Sequence, residues 1–66
     1  MISDLDIYRA AKLLIDQQGE DAALNAAERA DLLLEEGDME GAAVWRAIVT
    51  AIEDLQRKRG QGDAIN

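Results

Sequence analysis

The sequence predicts an all-α protein, a three-helix domain, and three observations carry that prediction. Proline is absent, and alanine, leucine, glutamate and isoleucine dominate, which is a helix-forming composition. Gly19, Gly37 and Gly60 divide the chain, as glycines do when they adopt the left-handed conformation just past a helix end. Between these glycines the apolar residues recur with the period of an α-helix. The predicted helices span residues 3–18, 20–36 and 39–59.

The first predicted helix is amphipathic and begins at a capping residue. Ser3 is a good N-cap, and Asp4 and Asp6 place negative charge at the positive end of the helix dipole. Leu5 and Leu13 project toward the polar side, where a single subunit would leave them exposed to water. The apolar face itself consists of Ile7, Tyr8, Ala11, Leu14 and Ile15.

The second predicted helix carries mostly alanine on its inner face. Glu20 or Asp21 is expected to cap it, and Gly37 to end it. Alanine lets two backbones approach closely but buries little apolar area. Because burial contributes about 25 cal/mol per Å², this face gains less hydrophobic free energy than a leucine face would. Leu24 and Leu32 lie off this face, as the two outlying leucines of the first helix do. The inner face consists of Ala22, Ala23, Ala26, Ala27, Ala30, Leu33 and Leu34.

A short corner is expected between the second and third helices. Asp38 is placed to cap the third helix. Capping does not explain Gly41, for which we expect a close approach of another backbone, because glycine in a first turn costs up to about 1 kcal/mol relative to alanine. The second and third helices are predicted to form an antiparallel hairpin, with the first packed across them.

The third predicted helix has the widest apolar arc, which suits a helix touched by more than one neighbour. Trp45, Ile48, Ile52 and Leu55 have the spacing of a short coiled-coil seam, and Trp45 is either a core residue or an interface anchor. The tail, residues 60–66, has no periodicity and is expected to be flexible, which leaves residues 1–59 as a single helical domain.

The residue inventory excludes most catalytic and metal-binding chemistry. The 66 residues include no Cys and no His, so disulfides, Cys/His zinc sites and Ser-His or Cys-His catalysis are excluded. The acidic corner 35-EEGDMEG-41 does not fit the ligand spacing of an EF-hand, and no glycine-rich phosphate loop is present. We expect a protein that is not an enzyme, with no cofactor, no metal site and no catalytic residue.

Charge argues against nucleic-acid and membrane partners. Fourteen acidic against seven basic residues give a net charge of -7, which repels phosphate backbones and anionic lipid. The run 57-RKR-59 is interpreted as cations that offset the dipole at a helix C-terminus. The start MISDLDIYR has acids where a signal peptide has positive charge, so we expect a cytoplasmic protein.

Three short motifs resemble a family of short, uncharacterised bacterial helical proteins, a domain of unknown function. They are Gly-Glu-Asp-Ala at residues 19–22, Arg-Ala-Asp at residues 29–31, and a Gly-Asp corner that leads to Val-Trp-Arg at residues 44–46. The resemblance covers most of the chain, although the family often has a histidine where this chain has Gln18. It implies a compact helical fold and carries no catalytic residue across.

The leading functional hypothesis is a non-catalytic helical interaction module, an adaptor or regulator that binds an unknown protein partner. A symmetric homodimer would bury the apolar residues that one subunit leaves over. The alternative is an acidic inhibitor or nucleic-acid mimic, antitoxin-like, that blocks a basic partner site. Scattered pairs such as Glu53 with Arg57, and Arg9 and Lys12 with Asp16, favour the first hypothesis. The candidate interface residues are Leu5, Leu13, Leu24, Leu32, Trp45, Ile48, Ile52 and Leu55.

Overall fold

The computed structural model describes the backbone of residues 3–65 and the side chains of residues 3–58. Helix α1 spans Asp4–Gln18, a 3-10 turn spans Gly19–Asp21, α2 spans Ala22–Glu35 and α3 spans Met39–Ile65. Throughout this described part the chain forms no strand, so the all-α prediction is confirmed. Met1, Ile2 and Asn66, which the predicted domain and tail included, lie outside the described residues.

The helical residues form two uninterrupted runs, 4–35 and 39–65, and the prediction of three separate helices is wrong. Gly19 has φ 59° and ψ -127°, so the chain bends there, but the 3-10 turn that starts at Gly19 leads directly into α2. The bend divides one helical run into α1 and α2. Because the turn gives Asp21 a near-helical backbone, with φ -82° and ψ -6°, neither Glu20 nor Asp21 caps α2 through its side chain.

Two predicted helix ends are confirmed by their hydrogen bonds. Ser3 Oγ accepts a hydrogen bond from the backbone N of Asp6 at 3.2 Å, so Ser3 is the N-cap of α1. Gly37 has φ 86° and ends α2 in a Schellman arrangement. The backbone N of Asp38 donates to the carbonyl of Leu33 at 2.9 Å, and that of Gly37 donates to the carbonyl of Leu34 at 3.0 Å. Carbonyls that the helix end would leave without partners are thereby satisfied.

Asp38 and Gly41 form the cap of α3. Asp38 Oδ1 accepts a hydrogen bond from the backbone N of Gly41 at 2.9 Å, which confirms the predicted cap. A Cβ atom at position 41 would lie 2.8 Å from Cγ of Asp38, so glycine leaves room for the capping carboxylate. The expected approach of another backbone at Gly41 is therefore wrong, because the close neighbour is the side chain of Asp38.

Helix α3 is longer than predicted and ends at Ile65 instead of residue 59. Gly60 lies inside it, since one glycine costs a helix interior only about 1 kcal/mol and extending an existing helix gains a hydrogen bond with each residue. The cations at residues 57–59 consequently lie before the last turn and do not offset the dipole at its C-terminus. Flexibility of residues 60–65 stays a prediction, since helical backbone does not measure motion.

The core lies where both α1 and α2 pack against α3. After the corner at residues 36–38, α3 runs back along α2, and among the described residues this hairpin packs more extensively than α1 packs on α3. Among the residues with described side chains, the buried apolar ones are six alanines and three isoleucines: Ala11, Ala22, Ala26, Ala30, Ala42, Ala51, Ile15, Ile48 and Ile52.

Candidate interaction surface

The structure leaves the four outlying leucines exposed. The exposed fraction is 61% for Leu5, 56% for Leu13, 61% for Leu24 and 48% for Leu32. Their helical positions explain this, because Leu13 lies two residues from the buried Ile15 and therefore about 200° away around α1. The expectation that a single subunit exposes these leucines is confirmed, and their role in an interface stays a prediction.

On each helix the two leucines flank a charged residue at the same spacing. Leu5 and Leu13 lie four residues before and after Arg9, and Leu24 and Leu32 lie four residues before and after Glu28. Residues four apart are neighbours on a helix surface. We call these rows the α1 ridge, Leu5-Arg9-Leu13, and the α2 ridge, Leu24-Glu28-Leu32. Both charged residues are exposed, and neither forms an ion pair with any other side chain that the structure describes.

The four candidate interface residues of α3 face inward to different degrees. Ile48 and Ile52 are 4% and 0% exposed and belong to the core of the subunit. The helices α1 and α2 together cover this face of α3, and the place of Ile48 and Ile52 in an interface stays a prediction. Trp45 and Leu55 are half-buried and pack at the margin of the core.

Trp45 lies beside Arg29 at a shallow cleft between α1, α2 and α3. The guanidinium Cζ of Arg29 is 5.3 Å from the centre of the indole ring, which is cation–π geometry. Next to the ring, Nδ2 of Asn25 donates a hydrogen bond to Oε1 of Gln18 at 2.9 Å. The cleft has a volume of about 260 Å³, below the roughly 300–1,000 Å³ of small-molecule sites, so its size does not favour a ligand.

Asp54 is the centre of a polar cluster at the other end of the α1–α3 contact. Its Oδ2 accepts a hydrogen bond from the Tyr8 hydroxyl at 3.3 Å and lies 3.4 Å from Nζ of Lys58. Its Oδ1 lies 3.4 Å from Nη2 of Arg57. The predicted pairing of Arg57 with Glu53 is wrong, because Asp54, three residues before Arg57, provides the carboxylate.

The pKa of Asp54 is lowered by its cationic neighbours. Partial burial of the carboxyl raises the pKa, but the hydrogen bond and charge of Lys58, the hydroxyl of Tyr8 and the charge of Arg57 outweigh it. The pKa of Asp54 therefore lies below its ordinary value. Such a carboxylate stays ionised at neutral pH and suits a structural tie, whereas a general acid or base needs a pKa near the operating pH.

The remaining carboxylates do not assemble into a metal site in the part of the chain whose side chains are described. No group of three or more of them there could hold a metal ion. Glu35, Glu36 and Glu40 are exposed at the corner, and Asp38 is engaged by the cap of α3. The acidic inhibitor stays a prediction, since a group of exposed acids is the ordinary surface of a protein with net charge -7.

The fold and this surface define a class: a small all-α protein with leucines on the outer faces of two helices. The chain matches no known family model, no curated protein and no solved structure. The resemblance to a family of short bacterial helical proteins thus stays a prediction. Within residues 3–65, none of the helices is both long and apolar enough to cross a membrane.

Proposed function

We propose that this protein is a non-catalytic helical interaction module, an adaptor or regulator in the cytoplasm that binds protein through the outer faces of α1 and α2. The single observation that carries the proposal is the exposure of four leucines, between 48% and 61%, on helices whose inner faces are already packed. Fully burying a leucine contributes about 1.5–3 kcal/mol, so a partner that covers half of each gains several kcal/mol.

The small core supports the same conclusion. Of the buried residues among positions 3–58, only Ile15, Ile48 and Ile52 are larger than alanine. A chain of this length buries a smaller fraction of its surface on folding than a larger domain does, and without Cys for disulfides it gains further burial by association. A symmetric homodimer is the simplest association of this kind, and we include it in the proposal.

The dimer is tested by sedimentation equilibrium and light scattering over about 1–300 µM protein. We expect twice the subunit mass at the upper end of this range, because cooperative burial of both outer faces favours association. A variant with Leu5, Leu13, Leu24 and Leu32 all changed to serine should keep its helical circular dichroism and sediment as a monomer. Subunit mass for the wild-type protein at every concentration would remove the dimer from the proposal.

Binding to another protein is tested by affinity capture from the native host, with mass spectrometry to identify what is retained. The four-serine variant should lose any partner that the wild-type protein retains. A matched control changes four exposed polar residues outside the two leucine-bearing faces, Glu40, Arg46, Glu53 and Arg57 of α3, to serine and should retain it. If the purified partner binds the four-serine variant as tightly as the wild-type protein, the outer leucines are not the binding surface and the proposal fails.

A further inference from the structure

The α1 ridge and the α2 ridge are complementary in charge. Each has leucines at its two ends and one charged residue at its centre, and the centres are Arg9 and Glu28. In each helix, the residue three positions after the central one repeats its charge: Lys12 follows Arg9, and Asp31 follows Glu28. One ridge therefore presents a positive centre and the other a negative centre, each between two exposed leucines.

We propose that the α1 ridge of one copy of this chain docks on the α2 ridge of a second copy, with Arg9 paired to Glu28 of the partner subunit. The inference rests on the proposed function, since it names the partner and the alignment of the same outer faces. Like ridges do not pair, because two α1 ridges would bring arginines together and two α2 ridges would bring glutamates together.

The spacing of the ridges determines how the two helices cross. Both are rows of residues four apart, and interdigitating rows of this kind give the commonest helix-packing class, with an interaxial angle of about -50°. Because leucines lie at both ends of each ridge, aligning the centres brings leucines beside leucines whichever way the helices run. The leucines then shield the central ion pair from water, which strengthens its electrostatic attraction.

A two-fold axis doubles this contact. The α1 ridge of the first copy meets the α2 ridge of the second, and the reciprocal pair forms across the axis. A specific interface buries about 800 Å² from each partner, which is roughly one sixth of the 4920 Å² that this chain exposes. In the proposed dimer the two ridges of each copy, with the helical surface around them, supply this area.

Charge reversal tests the pairing on the full-length protein. Arg9→Glu places glutamate against glutamate in both contacts, and Glu28→Arg places arginine against arginine. Each variant should raise the dimer dissociation constant about tenfold or more, as like charges do at an interface. Combining both changes in one chain restores opposite charges and should return the constant to within about threefold of the wild-type value.

Mixing the two single variants is the sharpest form of the test. In a heterodimer of Arg9→Glu with Glu28→Arg, one contact pairs two acquired opposite charges and the other pairs the native Arg9 and Glu28. Two proteins that separately sediment as monomers should therefore form a dimer when mixed in equal amounts. The matched controls Arg46→Glu and Glu53→Arg make the same changes at exposed positions of α3 and should leave the mass unchanged.

Each outcome of this series decides the question. A wild-type dimer that both reversals leave intact, or reversals that weaken it and are not rescued by mixing, overturns the ridge pairing while self-association stands. A wild-type monomer at all concentrations also overturns it, and capture of a different protein still decides the proposed function separately. If a reversal variant fails to fold, Arg9→Gln and Glu28→Gln replace it, and equal effects of the single and double changes support the pair.

Discussion

On α2 the small apolar side chains lie on the inner face and large ones lie on the outer face, the opposite of what is usual in a helix of a folded protein. Facing α3, Ala22, Ala26 and Ala30 are buried, whereas Leu24 and Leu32 are 61% and 48% exposed on the outside. Small side chains let α2 lie close to α3, but they contribute less hydrophobic free energy than leucines would. The difference teaches that the larger apolar area of α2 is not used by the subunit itself. This arrangement suits the intermolecular contact that we propose for the outer face of α2.

The largest expected effect on the free energy of unfolding comes from shortening a side chain in the core, compared with the same kind of change on the outer face of α2. Ile52→Ala removes a side chain with no exposed surface from the point where the helices meet, and should lower the free energy of unfolding by about 2–5 kcal/mol. Leu24→Ala on the outer face should change it by no more than about 0.5 kcal/mol in dilute monomer. Urea denaturation followed by circular dichroism at about 1 µM measures both.

A milder variant keeps this comparison measurable if Ile52→Ala does not fold. Ile52→Val should cost about 0.5–1.5 kcal/mol, still more than Leu24→Ala. At high protein concentration Leu24→Ala should also lose stability, because the dimer that it weakens stabilises the folded chain by mass action. Equal costs for Ile52→Val and Leu24→Ala in dilute monomer would show that the two faces do not differ as the structure indicates.

Asp38 at the corner and Gly41 in the first turn of α3 are in contact, and changes at these two residues should be coupled. Asp38→Ala removes the cap of α3 and should cost about 1 kcal/mol. Gly41→Ala alone should also destabilise, because the new Cβ would displace the capping carboxylate, whose Cγ would lie 2.8 Å away. In the Asp38→Ala background the same change should stabilise by up to about 1 kcal/mol, since alanine is the better helix former.

Thermal and urea unfolding would show whether Gly41→Ala raises or lowers the free energy of unfolding in the wild-type protein and in Asp38→Ala. Gly37→Ala is the control for backbone strain at the same corner. With φ 86° it should destabilise by about 1–2 kcal/mol in either background. If Gly41→Ala stabilises the wild-type protein, the capping carboxylate moves aside without loss, and the close contact at this corner does not account for the glycine.

The features that the sequence predicted correctly are the local ones. Ser3, Gly37 and Asp38 act through hydrogen bonds to backbone groups only three to five residues away, so residue type and position suffice to place them. Gly60, like Gly37, follows a helical pattern, but the helix end predicted there is wrong. A helix continues through a glycine when the free energy gained by extending it exceeds the cost of that glycine, about 1 kcal/mol.

The candidate site was predicted only in part, for a tertiary reason. Helical periodicity identified Leu24 and Leu32 as lying off the inner face, and the structure leaves them exposed. The same periodicity placed Ile48 and Ile52 on the apolar face of α3, but it did not show how much of that face the other helices cover. That depends on how α1 crosses α3, which no local pattern encodes. The matching spacing of the two ridges was visible in the sequence, and the structure confirms that the leucines of both are exposed.

A smaller effect is expected at the border between the two faces, where Arg29 covers Trp45. Arg29→Ala should lower the free energy of unfolding by about 0.5–1 kcal/mol, the value of a cation–π contact at an exposed site. Tryptophan fluorescence should shift to the red, because the indole ring loses its cover. Arg46→Ala, an exposed cation on the same helix as Trp45, is the matched control. A similar shift in both variants would indicate that the guanidinium does not cover the ring.

The smallest expected effect is at Asp54, which holds Tyr8 at the edge of the inner face of α1. Since its pKa is lower in the folded chain than in the unfolded one, the carboxylate stabilises the fold above the ordinary aspartate pKa. That stability is lost as the pH falls through the folded-state pKa. Carbon-detected NMR titration should place the pKa of Asp54 below its ordinary value, and Lys58→Gln should raise it, whereas the control Lys12→Gln should not. An unchanged pKa in Lys58→Gln would mean that the 3.4 Å ion pair is not formed in solution, and the hydrogen bond from Tyr8 would remain as the tie between Asp54 and α1.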